Sequence, residues 1–448
     1  MATFSKGGIH PPQNKITADK PIIPLALPRK VELLLSQHIG APAKPVVVKG
    51  DKVVRGQIVA EGSAFISASV HTPISGKVTK IDTVRAANGM PATAIVIEAD
   101  EEEHIADEDS RMNPSVVRSD TELEILTPEE IREIARYAGL VGLGGATFPA
   151  SVKLTPPKDN IIDSLVINGA ECEPYLTCDH ALMREYGREV VCGAELMRRA
   201  CGAGRVVIGI EDNKADAIDV ISRICDEYPH ISVKKLIAKY PQGGEKQLVK
   251  AITGREIKSG CLPSSVGVVV HNVATAYALY NAARFGLPVM ERIVTVTGKN
   301  MSRPGNFLAP LGMRIGALID YAGGLKDNSG KIILGGPMMG RAASNIDSPL
   351  VKGISGILIL EDGESRRKAV EPCIRCARCV SVCPMGLEPY LISAYGSNRM
   401  AEDAEANGTA DCIECGCCSY ICPASRPLLD NIRLGKRLIA EKKRLQNK

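Results

Sequence analysis

The chain has 448 residues, of which 45% are hydrophobic and 24% charged, and its formal net charge is +4. That length predicts about three domains with buried cores, and the composition is that of soluble globular protein. The small net charge gives no electrostatic case for a nucleic-acid partner. The absence of Trp and an aromatic content of 4% leave little for base stacking.

Residues 1–42 form an N-terminal extension, Pro- and Lys-rich and aperiodic at its start, expected to drape over another domain or a partner. Met1–Gly7 shows no apolar core of a signal peptide. Residues 43–100 hold short β-runs broken by glycine, which predict a small β-barrel or sandwich. The run V-x-x-G-D-x-V-x-x-G-Q ending at Gln57, with Pro73-Ile-Ser-Gly76-Lys-Val78 after it, resembles the lipoyl/biotinyl carrier fold, a barrel-sandwich hybrid. A carrier presents a modifiable lysine at its hairpin tip. The span Gly62–His71 has none, so a structural barrel is expected rather than a swinging arm. The acidic stretch Asp100–Asp109 is expected to be a solvated linker.

Thr127-Pro128-Glu129-Glu130 opens a helix, with Thr as N-cap, Pro at the first helical position and Glu130 closing a capping box. Within residues 115–290, apolar runs beginning at Leu165, Arg205 and Ser232 alternate with helical patterns over 189–201, 214–228 and 244–253. That alternation predicts an α/β domain. The least charged stretch, 264–283, contains His271, Asn272, Thr275 and Asn281, and fits a buried strand followed by a helix rather than a membrane span. Residues 291–345 bracket a helix near 314–322 with strand-like ends, which suggests a β-grasp unit.

Residues 362–432 carry the strongest chemical signal. Cys373, Cys376, Cys379 and Cys383-Pro384 follow C-x2-C-x2-C-x3-C-P, and Cys412, Cys415, Cys418 and Cys422-Pro423 repeat it. This is the ligand run of a bacterial [4Fe–4S] cluster, in which the fourth cysteine serves the other cluster. One cluster is therefore assigned to Cys373, Cys376, Cys379 and Cys422, the other to Cys412, Cys415, Cys418 and Cys383. Structural zinc and disulfides are the alternatives, but zinc cysteines usually come as separated C-x2-C pairs, and a disulfide framework suits small secreted chains rather than one of this length. Cys417 falls off register and is expected to be a bystander thiol. The polar, alanine-containing stretch 391–407 predicts helix, hence an α-helical dicluster domain, and 433–448 is expected to be a basic tail.

Gly139-Leu-Val-Gly142-Leu-Gly144-Gly145-Ala-Thr-Phe148-Pro-Ala-Ser-Val-Lys153 could bring backbone amides and a cation to a phosphate or a flat ring. It follows a helix rather than a strand, so it is not a Rossmann fingerprint, and a tight turn between packed elements is the alternative. Asn168-Gly-Ala-Glu171-Cys-Glu173-Pro, Gly243-Gly244-Glu245 and Asn272-Val-Ala-Thr275 add polar groups at strand ends and helix starts.

The order of these pieces resembles the flavin- and NADH-binding subunit of respiratory complex I, followed by the soluble ligand-binding β-grasp (SLBB) domain. With the barrel in front and the dicluster domain behind, the whole chain resembles the C-subunit family of Rnf/Rsx ion-translocating electron transport complexes. The A subunit of the sodium-pumping NADH:quinone reductase shares the first three parts but lacks the cysteine runs. The resemblance implies FMN held by Gly142, Gly144, Lys153, Asn168, Glu171, Gly244, Glu245 and Asn272, nicotinamide stacking or adenine contact near Phe148, and Glu173 beside the ring pocket. It further implies NAD(H) as substrate, membrane subunits that move the ion, a ferredoxin or ferredoxin-like partner, and a peripheral place on the cytoplasmic side of the inner membrane. Two departures stand out: Leu143 where complex I has a basic residue, and Ala170 where it has aspartate. They favour a rival expectation, a docking and electron-relay module that binds no nucleotide.

Overall fold

The computed structural model describes residues 1–110, 116–157 and 159–446. The barrel packs a sheet of Lys30–Leu34, Pro91–Glu98, Gly76–Arg85 and Lys52–Val53, in that order, against a second of Lys44–Pro45, Ile58–Glu61 and Val70–His71. It starts at Lys30, ahead of the expected residue 43, because Val31 and Leu33 alternate into its core and are fully buried. The turn at Gly62–His71 is docked rather than projecting. Ser67 and Ser69 are buried, and the Ser69 carbonyl accepts a 2.7 Å hydrogen bond from Lys352 Nζ. The same ammonium donates to the Gly139 carbonyl at 2.6 Å, so one buried lysine ties barrel, α/β domain and β-grasp unit together.

The expected acidic linker is instead the helix Glu101–Ser110. The buried Asp107 carboxylate accepts the Ser75 hydroxyl at 2.8 Å and the Ser75 amide, which gives the helix a docking point on the barrel. The helix Pro128–Tyr137 starts as its sequence predicts, with both halves of the Thr127/Glu130 capping box formed.

Four parallel strands make the α/β sheet, in the order Ile231–Leu236, Arg205–Glu211, Ser164–Gly169, Val268–Asn272. The chain winds outward from Ser164–Gly169 through two strands and then returns to pair on its opposite side. That reversal is a topological switch point, and in open parallel sheets ligands bind in the crevice at its carboxyl end. Asn168 and Asn272 are register partners at that end.

The β-grasp sheet runs Ile22–Pro24, Gly305–Pro310, Glu291–Thr297, Gly356–Glu361, Ser329–Leu334, Arg341–Ala342. Its inner strand Gly356–Glu361 lies beyond the expected boundary at 345, and its outermost strand Ile22–Pro24 comes from the N-terminal extension. That extension also bridges Ala2 to Leu236 and Ile9 to Tyr240, and the Gly8 amide donates to the Val382 carbonyl at 2.9 Å. It drapes over three domains.

The cluster domain is helical and internally duplicated, with an offset of 39 residues from Cys373 to Cys412 and from Cys383 to Cys422. The backbone repeats at the same offset. Arg375 and Glu414, Ala377 and Gly416, and Gly386 and Ser425 all have positive φ. Each non-glycine residue there costs roughly 1 kcal/mol, a strain that thiolate–iron bonds can offset. Helices Pro389–Ser397 and Leu428–Gln446 are counterparts, and Gly396 meets its own counterpart Gly435 where they cross. A residue can touch its repeat only near a two-fold axis, so the two halves form a pseudo-symmetric pair. Of the residues expected to be a basic tail, 433–446 belong to this last helix, where Lys442 and Lys443 pair with Glu402 and Glu405, and 447–448 lie outside the described residues.

A Cβ on Gly396 would lie 2.0 Å from the Asn431 carbonyl oxygen. Gly396→Ala is therefore expected to destabilise the cluster domain by about 1–3 kcal/mol, seen as earlier thermal bleaching of the visible absorbance while the α/β domain unfolds at its usual temperature.

Candidate functional site

The crevice at the switch point gathers most of the predicted flavin residues. The Gly-rich loop folds back on itself, with the Gly142 amide donating to the Phe148 carbonyl at 2.8 Å and Thr147 to Gly142 at 3.0 Å. Gly145 has φ +110°, open to few residues but glycine. A Cβ on Gly144 would sit 3.2 Å from Asn272 Cβ, so the loop lies against the end of strand Val268–Asn272. Gly144 and Gly145 are exposed and Phe148 is half-buried.

Asn168 Nδ2 donates to the Gly243 carbonyl at 2.9 Å, which fixes the Gly243-Gly244 turn to the sheet. Gly244 is the N-cap of helix Glu245–Thr253. Lys153 Nζ donates to Glu245 Oε1 at 2.7 Å and to the Val270 carbonyl at 2.9 Å, linking the Gly-rich segment to that helix and to the sheet. Asn272 caps its helix through the Ala274 amide at 2.8 Å, and its Nδ2 donates to Asp179 Oδ2 at 2.7 Å. Glu171 accepts the amides of Asp179 and His180 at 2.7 and 3.2 Å, at the start of helix Cys178–Glu185. Burial, with the Glu171 carboxylate beside it, raises the Asp179 pKa to about 7.

Glu173 diverges from the group. Its carboxylate accepts the Met338 and Met339 amides, at 3.0 and 2.8 Å, from the far turn of the β-grasp domain, and burial raises its pKa to about 7. The two sequence departures take on a different meaning in three dimensions. Leu143 is buried beside Val141 and Ala68, with its amide on Thr275 Oγ1 at 2.9 Å and its carbonyl accepting from the buried Arg292. Ala170 is fully buried in the sheet's second core. Both side chains fill core.

Sequence reasoning missed Asp179, Arg292, Lys15 and Lys214. Lys15 Nζ donates to the carbonyls of Glu171, Glu173 and Leu176 at 2.8, 2.9 and 2.6 Å, and burial lowers its pKa from the usual lysine value. Lys214 Nζ donates to the Ala170 carbonyl at 2.7 Å. Among the described residues the amides of Glu171 and Cys172 have no acceptor. Successive unpaired amides are a donor set that an anionic cofactor such as FMN can use.

In the cluster domain, Cys383 of the first run lines one cavity together with Cys412, Cys415 and Cys418 of the second. The Leu387 and Glu414 amides donate to Cys383 Sγ and Cys412 Sγ, both at 3.4 Å, as thiolates in a cluster site need. Cys417 is fully buried in the same cavity. In the other set Cys373 and Cys376 are exposed, and Cys379 and Cys422 are half-buried and pack in a common apolar cluster. The buried set faces the α/β domain. Tyr240 donates its hydroxyl to the Cys415 carbonyl at 2.8 Å, and Tyr240, Cys415, Cys417 and Ile9 form an apolar junction flanked by Cys172 and Met338.

Comparison with known proteins accords with this layout. Residues 3–102 match the family described as RnfC barrel sandwich hybrid domain, 135–281 the Nuo51 FMN-binding domain, 293–342 the SLBB domain and 366–423 the 4Fe-4S dicluster domain. The chain is 43% identical to the C subunit of the Na(+)-translocating ferredoxin:NAD(+) oxidoreductase complex of Acetobacterium woodii, over 99% of its length and 98% of the relative's. It is 42% identical to the C subunit of the proton-translocating ferredoxin:NAD(+) oxidoreductase complex of Clostridium ljungdahlii, over 90% and 87%. It is 40% identical to the C subunit of the ion-translocating oxidoreductase complex of Rhodobacter capsulatus, over 99% and 84%. An air-oxidised NAD+-reducing [NiFe]-hydrogenase chain shares the fold at 18% identity, with a TM-score of 0.50 over 82% of this chain and 78% of that one. The chain belongs to the C-subunit family of ion-translocating oxidoreductase complexes.

Proposed function

We propose that this chain is the electron-transfer subunit of an ion-translocating ferredoxin:NAD(+) oxidoreductase complex, carrying electrons between NAD(H), FMN and two [4Fe–4S] clusters. The observation that carries the reading is the apolar junction at Tyr240, which seats the buried cysteine set directly behind the loop that ends strand Ser164–Gly169. FMN supplies the exchange between a two-electron hydride and single electrons.

The chain's own residues place the groups. Lys153, Asn168, Asn272, Gly142, Gly144, Gly244 and Glu245 would hold the flavin at the switch point, with Phe148 at the open side for the nicotinamide nucleotide. Glu171 acts through the start of helix Cys178–Glu185, and Glu173 through the β-grasp turn, so both fix the crevice wall. Cys383, Cys412, Cys415 and Cys418 would hold the cluster next to the flavin. Cys373, Cys376, Cys379 and Cys422 would hold the outer one, whose exposed loop suits exchange with a ferredoxin-like partner. No described helix is long and apolar enough to cross a membrane, so ion movement falls to other subunits and this chain is peripheral to them. The cytoplasmic side of the inner membrane is the placement we assign, since NAD(H) is met there. The relay reading without nucleotide loses its support, because Leu143 and Ala170 are core residues and leave the crevice intact.

Anaerobically reconstituted chain should contain about eight iron and eight sulfide and bind one FMN that NADH bleaches; clusters without flavin binding or NADH response would return the relay reading. Lys153→Ala should weaken FMN at least about tenfold, as expected for losing a charge-assisted contact, with iron unchanged. FMN bound equally well by that variant contradicts the placement. The crossed ligand sets make a separate prediction: Cys422→Ser should alter the same electron paramagnetic resonance signal as Cys376→Ser, and Cys383→Ser the signal altered by Cys415→Ser. Pairing within each sequence run would reverse the pattern.

A further inference from the structure

The loop that ends strand Ser164–Gly169 is held from far outside its domain. Residues 13–17 of the N-terminal extension cross it and grip it along its length. The Gln13 carbonyl accepts the Tyr175 amide at 2.8 Å, Lys15 fans its ammonium over the carbonyls of Glu171, Glu173 and Leu176, and the buried Thr17 hydroxyl meets that of Thr177 at 2.5 Å. The loop needs such a grip. Glu171 and Tyr175 have φ of 44° and 70°, a region that side-chain-bearing residues seldom occupy.

The lysines also set the loop's polarity. In a trans peptide the carbonyl and the following N–H point in opposite directions. The Ala170 carbonyl is bound by Lys214 Nζ at 2.7 Å, so the Glu171 N–H points away from that ammonium. The Glu171 carbonyl is bound by Lys15 Nζ at 2.8 Å, so the Cys172 N–H points away from that one. Neither of these amides has an acceptor among the described residues, and the same holds for those of Glu173 and Leu176 further along the loop. Successive free amides form an anion-binding nest, and here each peptide has a cation at its carbonyl end, which increases the positive potential at the N–H end.

We infer that Lys15 is a positioning residue of the flavin site, holding the Glu171 and Cys172 amides towards the part of the flavin that becomes negative on reduction. The N-terminal strap is thereby a component of a cofactor site built in another domain. Lys214 supports the same peptide pair from within the α/β domain. The inference rests on the flavin reading above, since it names what the two amides serve.

The test uses the full chain, with Lys15→Met, which keeps the aliphatic stem, and Lys20→Met, an exposed position on the same strap, as control. FMN affinity is read by fluorescence quenching, and the flavin two-electron midpoint potential by spectroelectrochemistry, with iron and sulfide measured alongside. Lys15→Met should bind oxidised FMN at least tenfold more weakly, reduced FMN more weakly still, and so shift the midpoint to a more negative value, with cluster content unchanged and Lys20→Met like wild type. A loop merely loosened would weaken both redox forms equally and leave the potential in place, which overturns the electrostatic role; wild-type affinity and potential in Lys15→Met overturn the whole inference. Should Lys15→Met not fold, Lys15→Arg, which keeps the charge but cannot seat the same three carbonyls, gives the same comparison: weaker FMN supports the inference and unchanged affinity overturns it. Wild-type chain that binds no FMN sinks the flavin reading itself, a result separable from any of these.

Discussion

Everything in this molecule depends on how the cluster domain is seated against the α/β sheet, and the contact that fixes it is the Tyr240 hydroxyl on the Cys415 carbonyl, 2.8 Å long. Tyr240 is 2% exposed, and Ile9, Cys417, Cys172 and Met338 close around it. Four parts of the chain meet there: the strap, the end of a sheet strand, the far turn of the β-grasp unit and a cluster loop. A buried donor left without its acceptor costs about 1–3 kcal/mol, so the seat is specific as well as apolar. Cys172, in the loop that ends strand Ser164–Gly169, packs against this junction, so that loop and the cluster loop share one apolar contact.

The duplicated cluster domain shows how one backbone design yields two electrically different sites. Corresponding residues share their left-handed turns and cross at Gly396 and Gly435, yet their surroundings differ. Arg378 in the first half is exposed, while its counterpart Cys417 is fully buried under Ile9 and Tyr240. Solvent exposure and nearby charge are what set the reduction potential of such clusters. The pseudo-symmetry therefore supplies two like sites, and the packing of the strap makes one inner and one outer.

The features legible in the amino-acid string were those written locally. The two cysteine runs, the Thr127/Glu130 capping box and the strand–helix alternation between Leu165 and Phe285 all rest on neighbours within a few residues, and each took its expected form. The α-helical cluster domain followed from the same kind of signal. What escaped was carried by distant pairs. Lys15 lies 156 to 161 residues from the carbonyls it binds, and nothing in an aperiodic Pro- and Lys-rich stretch announces an ammonium held by three backbone carbonyls. Glu173 looked like a crevice acid because it sits in a crevice motif, but its carboxylate is claimed by a turn 165 residues away. Leu143 and Ala170 looked like lost ligands because a string does not say which way a side chain points. The acidic stretch after residue 100 misleads for a related reason: its charge signals solvent, and only the barrel's Ser75 reveals why Asp107 is buried.

On the function proposed above, electrons pass between the crevice and the outer cysteine set only by way of the inner one. The measurement that tests it most directly mixes chemically reduced chain with NAD+ in a stopped-flow spectrometer, comparing wild type with Cys412→Ala, which lacks the inner cluster. The wild-type outer cluster should reoxidise with the flavin, and in the variant the flavin should reoxidise while the outer cluster stays reduced. Reoxidation of the outer cluster at the wild-type rate in the variant would contradict it.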